Sequence, residues 1–208
     1  MQHDSLIEQT AQRLFMVVQE VVQAKPTEAD FRRHIDGVIA EFCEKVSLTT
    51  LNIHFERTLA SGRADAVFNR FVIEYKRPDV LSNRPKDRAT QQAVNQLRDY
   101  LHDLAQKERH EVHRIAGVVL DGCFIIFARF VDGAFTAESP QPVSVENLKR
   151  MLTWLTALAS GVALTADNLA RDFGIEQYRT QQTLRALYTG LQQATQDTDS
   201  LVSKLFEQ

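Results

Sequence analysis

Cysteine is scarce in this chain: Cys43 and Cys123 are the only two of 208 residues. They stand 80 positions apart and are flanked by apolar residues. That excludes a disulfide framework and a zinc knuckle, and leaves two reduced core thiols of a cytoplasmic protein as the expectation. None of the 6 histidines has metal-ligand spacing, and "HEVH" (110–113) is not the H-E-x-x-H pattern. No long hydrophobic run exists. "CFIIFA" (123–128) is the longest clearly apolar stretch, far too short to span a bilayer, so no membrane is expected. The opening "MQHDSLIEQTAQ" is polar and holds no signal-peptide core. Repeats and low-complexity tracts are absent. With 44% hydrophobic and 25% charged residues the composition is that of a folded domain, or of one domain with an appendage, rather than a disordered chain. A net charge of −3 argues against a general nucleic-acid coat.

What is present is periodic. Residues 5–24 carry apolar positions at helical spacing, and "KPT" (25–27) breaks them. Thr27 then suits the N-cap of a second helix with Phe31, Ile35, Val38, Ile39 and Phe42 on one face. "TLNIHFERTL" (50–59) alternates as a strand with one wet face. "ADAVF" (64–68) and "FVIEYKR" (71–77) predict two more strands, separated by Asn69-Arg70 as a two-residue hairpin turn. After a polar loop, residues 89–107 predict a helix with Val94, Leu97, Leu101 and Leu104 on one side. "IAGVVLD" (115–121) is continuously apolar and so predicts a central strand. Asp121-Gly122 turns it into "CFIIFARF" (123–130). "SPQPVS" breaks the pattern, and Ser144 suits the cap of a helix running to about Leu158. A glutamine-rich helical stretch follows Gly161 and reaches "LFEQ" without a C-cap signal, which suggests a piece of a longer protein. The order α-α-β-β-β-α-β-β-α-α-α implies an α/β fold of three layers, a central mixed sheet flanked by helices. The expected division is a domain at 1–160 and a helical extension or connector at 161–208.

One stretch is electrically distinct. From Arg57 to Arg88 there are eight basic and four acidic residues, +4 locally, which leaves −7 for the remainder. Such a stretch fits a phosphate-facing surface or a solvated loop. Within it, a turn at Asn69-Arg70 pairs Phe68 with Phe71, Val67 with Val72, Ala66 with Ile73 and Asp65 with Glu74. Lys76 comes one step further along the face of Glu74, with Arg63 opposite it. Two facing carboxylates repel, and one is pushed toward protonation. A divalent cation resolves the conflict, and few hard oxygen ligands suit Mg²⁺, with Mn²⁺ as the alternative. The neighbouring ammonium can hold an attacking water or stabilise charge on a phosphate. That is equipment for metal-assisted phosphodiester hydrolysis.

"RADAVFNRFVIEYKRP" resembles the PD-(D/E)xK motif of the restriction-endonuclease-like nuclease superfamily, with Asp65, Glu74 and Lys76 at the motif positions and Ala64 where the motif has proline. "QLRDY" (Gln96 to Tyr100) resembles the Q-x-x-x-Y motif of nuclease domains in RecB-type helicase–nucleases. The same run of motifs is similar to the N-terminal nuclease regions of type I and type IIG-like restriction-modification enzymes. The resemblance covers roughly residues 27–130. It implies a Mg²⁺-dependent DNA nuclease, endonuclease in preference to exonuclease, with a methyltransferase or helicase module further along a longer chain. It implies Asp65, Glu74 and the Tyr75 carbonyl as metal ligands and Lys76 as the third catalytic residue. Gln96, Tyr100 and Glu28 would support them, and Arg63, Arg77 and Arg88 would contact DNA phosphates.

Plainer roles exist for each. Glu74 and Lys76 fit a surface ion pair on an edge strand. Gln96 and Tyr100 share a helix face at i,i+4 and need be no more than exposed. Glu28 suits the first turn of any helix. A non-catalytic DNA-binding or protein-docking module on the same fold would keep the charges without the chemistry, and the glutamine-rich helix would suit an oligomerisation arm.

Overall fold

The computed structural model describes residues 2–46, 53–59, 62–159, 180–181 and 184–190. The chain divides into two compact units, Met1–Gly161 and Val162–Gln208. In the second, residues 184–190 are helical and expose Leu184, Leu187 and Tyr188; most of the glutamine-rich stretch lies outside the described residues.

The first unit opens with helices α1 (Gln2–Gln23) and α2 (Glu28–Lys45). Between them Lys25 takes a left-handed backbone (φ 49°) just before Pro26. Thr27 caps α2, its hydroxyl accepting the Asp30 N–H at 3.2 Å. Strands β1 (Ile53–Leu59), β2 (Gly62–Phe68) and β3 (Phe71–Tyr75) form an antiparallel meander. The chain then crosses over through α3 (Arg88–Glu108), capped by the Asp87 carboxylate on the N–H groups of Ala89 and Thr90. It returns as β4 (Ala116–Leu120), parallel to β3. A parallel pair requires such a crossover. Strands β5 (Phe124–Val131), β6 (Ala134–Ala137) and β7 (Gln141–Pro142) precede α4 (Val145–Ala159).

The sheet is mixed, in the order β1-β2-β3-β4-β5-β6, with β7 also on β5. β4 is buried along its whole length between β3 and β5, as its unbroken apolar run implies. Helices α1, α2 and α4 cover one face. There Phe31, Ile35, Leu14, Leu152 and Leu155 meet Phe71, Ile73, Tyr75 and Phe127 in one core. Helix α3 covers the other, placing Leu97, Leu101 and Leu104 over Val67, Val72, Val119 and Ile126. Each such leucine contributes roughly 1.5–3 kcal/mol by leaving water. Gly117 sets how closely α3 approaches: a Cβ there would lie 2.6 Å from the Val72 carbonyl oxygen and 2.9 Å from Leu97. The fold is therefore α/β with three layers. No helix among the described residues is long and apolar enough to cross a membrane.

Two elements depart from expectation. Residues 134–137, for which the sequence predicts no element, and 141–142, inside the "SPQPVS" break, are strands β6 and β7. The first arises from an Asp132-Gly133 turn, both residues at positive φ (51° and 79°), which returns the chain along β5. The third strand also stops at Tyr75 rather than residue 77, although Lys76 N–H still donates to the Leu120 carbonyl at 2.9 Å.

Candidate metal and phosphate site

The hairpin turn falls at Asn69-Arg70, with Asn69 at φ 55°. The tip is tied down, since Asn69 Nδ2 donates to the Ala159 carbonyl and Arg70 Nε to that of Leu158, capping the end of α4. The register Phe68↔Phe71, Val67↔Val72 and Ala66↔Ile73 follows as the turn requires.

There the ladder stops. Residues flanking a two-residue turn exchange both backbone bonds, and that pattern recurs every second pair. It would next place the Ala64 carbonyl on the Tyr75 N–H. Instead the Tyr75 N–H donates to Asp65 Oδ2 at 2.9 Å. The strands part, and the Asp65 side chain fills the gap. The expected rungs Asp65 opposite Glu74 and Arg63 opposite Lys76 are therefore not formed. Arg63 pairs with Thr58 on β1 instead, and its side chain lies outside the described residues.

Asp65 belongs to a closed cycle of polar contacts. Its Oδ1 accepts from Arg32 Nη1 at 3.0 Å. Arg32 Nε lies 4.0 Å from Asp36 Oδ2. Asp36 Oδ1 accepts the Tyr75 hydroxyl at 2.7 Å, and the Tyr75 backbone returns to Asp65. Burial pushes the Asp36 carboxyl up to about 7, against the Tyr75 hydrogen bond and Arg32, which pull it down. Burial, reinforced by Asp36, holds the Tyr75 hydroxyl well above its ordinary range. Neither Arg32 nor Asp36 was expected from the sequence. The signal lay in the spacing: Glu28, Arg32 and Asp36 recur every four residues, a polar stripe beside the apolar face of α2. Glu28 completes it, accepting the Arg77 N–H at 3.2 Å.

Glu74 points to the opposite face, toward α3. It is only 1% exposed. Its Oε1 takes Lys76 Nζ at 2.5 Å, while its Oε2 is buried without a hydrogen-bond partner. Glu74 and Lys76 thus share one side of the strand and also pair directly. Lys76 donates a second bond to Gln96 Oε1 at 3.1 Å, and Gln96 Nε2 meets the Tyr100 hydroxyl at 2.7 Å. Gln96 and Tyr100, one turn apart on α3, therefore face the site, and Tyr100 is buried. Burial raises the Glu74 carboxyl to about 7; Asp65 adds to this, and Lys76 opposes it. For Lys76, burial works against the charged form, but Glu74, Glu28 and Asp65 outweigh it and the ammonium is held above its ordinary value.

The structure thus gathers Asp65, Glu74, Tyr75, Lys76, Gln96, Tyr100 and Glu28 around the ends of the parted strands. Arg77 and Arg88 are exposed at the two ends of the 76–87 loop, with Arg84 and Lys86 exposed between them. That loop is anchored: the buried Asp121 accepts N–H groups from Leu81 (2.7 Å), Cys123 (2.9 Å) and Phe124 (2.7 Å), and Thr90 Oγ1 accepts that of Ser82. Among the described residues no group of three or more His, Cys, Asp or Glu side chains is gathered as a metal-holding set. The carboxylates at the site are Asp65, Glu74 and Glu28, of which Glu28 is engaged by the Arg77 N–H. No protein-family model matches the chain, and comparison with curated proteins and with solved structures gives no significant match.

Proposed function

We propose that this chain is a Mg²⁺-dependent DNA nuclease, with Asp65, Glu74 and the Tyr75 carbonyl as ligands of the ion and Mn²⁺ as a substitute. The observation that carries the reading is Glu74 Oε2, a buried carboxylate oxygen lacking any hydrogen-bond partner, on a carboxyl that also feels the charge of Asp65. Buried polar atoms are almost always satisfied, and one that is not calls for a function. A cation is what such an atom and its raised carboxyl lack. Two carboxylates and a carbonyl form a sparse set of hard donors, which suits an ion that keeps several waters. When bound, Mg²⁺ supplies Lewis acidity toward a phosphate oxygen and lowers the pKa of a bound water.

The side chains divide the remaining work. An ammonium has three protons to donate. Lys76 places one on Glu74 and one on Gln96, leaving the third for a water or a phosphate oxygen. Gln96, steadied by Tyr100, fixes the direction in which that proton points. Arg77, Arg84, Lys86 and Arg88 give the neighbouring loop the charge to hold a phosphate backbone, a contact that positions DNA without reading its sequence. A nuclease module of a restriction-modification or helicase–nuclease protein, followed by a methyltransferase or helicase, is the setting proposed for it.

The test is cleavage of circular plasmid and linear DNA with Mg²⁺ or Mn²⁺ by wild type, Asp65→Ala and Lys76→Ala. Each variant is expected to lose at least ~100-fold in rate. Nicking of the closed circle identifies an endonuclease. Equal cleavage by all three proteins would sink the proposal. If wild type neither cleaves nor binds Mg²⁺ in a calorimeter, the domain is a non-catalytic docking or DNA-binding module instead.

A further inference from the structure

The aspartate at the centre of the proposed site already has a cation. The Arg32 guanidinium holds Asp65 Oδ1 at 3.0 Å while the Tyr75 N–H holds Oδ2 at 2.9 Å. The two side chains are only 21% and 15% exposed, so water screens the pair weakly. We propose that Arg32 is the resident counter-ion of Asp65, and that a divalent cation reaches Asp65 only in competition with it. This rests on the metal reading above and specifies how that metal site is controlled.

The geometry gives Arg32 somewhere to go. Asp36 lies one turn along α2, with Oδ2 4.0 Å from Arg32 Nε. The buried Tyr75 hydroxyl fixes Asp36 in place through its other oxygen. A guanidinium leaving Asp65 thus has a second carboxylate within a small side-chain movement and need not pass into solvent. With both Asp65 oxygens already accepting one hydrogen bond, an incoming cation would share the carboxylate with a like charge only a few ångströms away. Like charges at that range, in a mostly buried setting, weaken each other's binding strongly. The closed cycle of Asp65, Arg32, Asp36 and Tyr75 is then a holding arrangement. It keeps Asp65 neutralised and aimed in the absence of metal, at a cost in metal affinity.

Calorimetric titration of the full chain with MgCl₂ or MnCl₂ tests this on wild type, Arg32→Gln and Arg32→Lys. Arg32→Gln is expected to bind about tenfold more tightly than wild type, because it removes the competing charge and keeps a hydrogen-bond donor. Arg32→Lys keeps the charge and is expected to stay within about twofold of wild type. Side-chain ¹⁵N–¹H spectra of the wild type give an independent readout that does not depend on Arg32→Gln folding. The Arg32 guanidinium signals, assigned by their absence in Arg32→Lys, should move on Mg²⁺ addition with the same midpoint as the heat. Affinity that is equal or lower in Arg32→Gln, or Arg32 signals that stay fixed while the ion binds, would overturn the counter-ion role and leave the metal site standing. Binding by none of the three proteins would overturn the metal site itself, and the counter-ion role with it.

Discussion

Glu74→Gln is expected to disable the site and, at alkaline pH, to strengthen the fold. Burial raises the Glu74 carboxyl from 4.5 to about 7, and its side chain is only 2% exposed. The folded chain therefore holds this proton more tightly than the unfolded chain. Between pH 4.5 and 7 the native state binds more protons, so this group's contribution to stability falls as pH rises. At about 1.4 kcal/mol per unit the ionised carboxylate costs the fold about 3 kcal/mol by pH 8. Glutamine does not ionise and escapes that cost. Its amide nitrogen meets the same partnerless pocket as Oε2, a pH-independent penalty of about 1–2 kcal/mol. The decisive quantity is thus the change in the difference between the two proteins, not its value at one pH. From pH 4 to pH 8 the variant should gain about 3 kcal/mol on wild type, and its relative melting temperature should rise by roughly 6–12 °C for a domain of this size. Asp36 also titrates in this range, but it is common to both proteins and cancels. Saturating Mg²⁺ at pH 8 should stabilise wild type and leave the variant unmoved. A gap that stays flat across the pH range, or wild type gaining on the variant as pH rises, would show that Lys76 keeps Glu74 charged throughout and that the burial reasoning is wrong.

Other outcomes follow from single contacts. Tyr75→Phe keeps the edge-on ring contact with Phe31 but strips Asp36 of its 2.7 Å donor; urea unfolding at pH 8 should show a loss of about 1–3 kcal/mol. Asp121→Ala leaves the N–H groups of Leu81, Cys123 and Phe124 without an acceptor. It should cost roughly 3–5 kcal/mol and make the 76–87 loop the first site of limited proteolysis. Gln96→Ala removes one of two acceptors from Lys76; cleavage should fall about tenfold with the melting temperature nearly unchanged, and a drop in both together would make Gln96 merely structural.

The hairpin was legible because its determinants are local. Apolar alternation on both sides of Asn69-Arg70 admits one register, and Ala66↔Ile73 follows from it. The next rung failed for a reason no local rule contains. The Asp65 carboxylate competes with a backbone carbonyl for the Tyr75 N–H, and its other oxygen is held by Arg32, 33 residues earlier on a different element. Gln96 and Tyr100 stand out through the resemblance of "QLRDY" to a known motif; Arg32 and Asp36, at equally regular spacing, belong to no such motif, and arginine and aspartate on a helix ordinarily serve the solvent. Strand β6 was missed although Asp132-Gly133 is strong turn chemistry, since "AFTA" is too short to announce a strand before its partner is known. The two residues of β7, one of them a proline on the sheet edge, lie below what any periodicity resolves.

The parallel pairing of β3 with β4 carries a consequence for how the protein is made. The hairpin of β2 and β3 closes over a two-residue turn and can form while the chain is short. Glu74 on that hairpin pairs with Val119, and its cover, Gln96 and Tyr100, arrives only when α3 swings across the sheet. Until residues 116–120 dock, a carboxylate destined for the interior stands in water at its ordinary acidity. Long-range closure is the slow step in such topologies. The weakened acidity of Glu74, a carboxyl that burial makes hold its proton to about 7, is therefore acquired late. Pulse-labelled hydrogen exchange during refolding should find the Phe71 and Ile73 amides, which bond across the hairpin, protected before those of Lys76 and Ala116, which bond between β3 and β4.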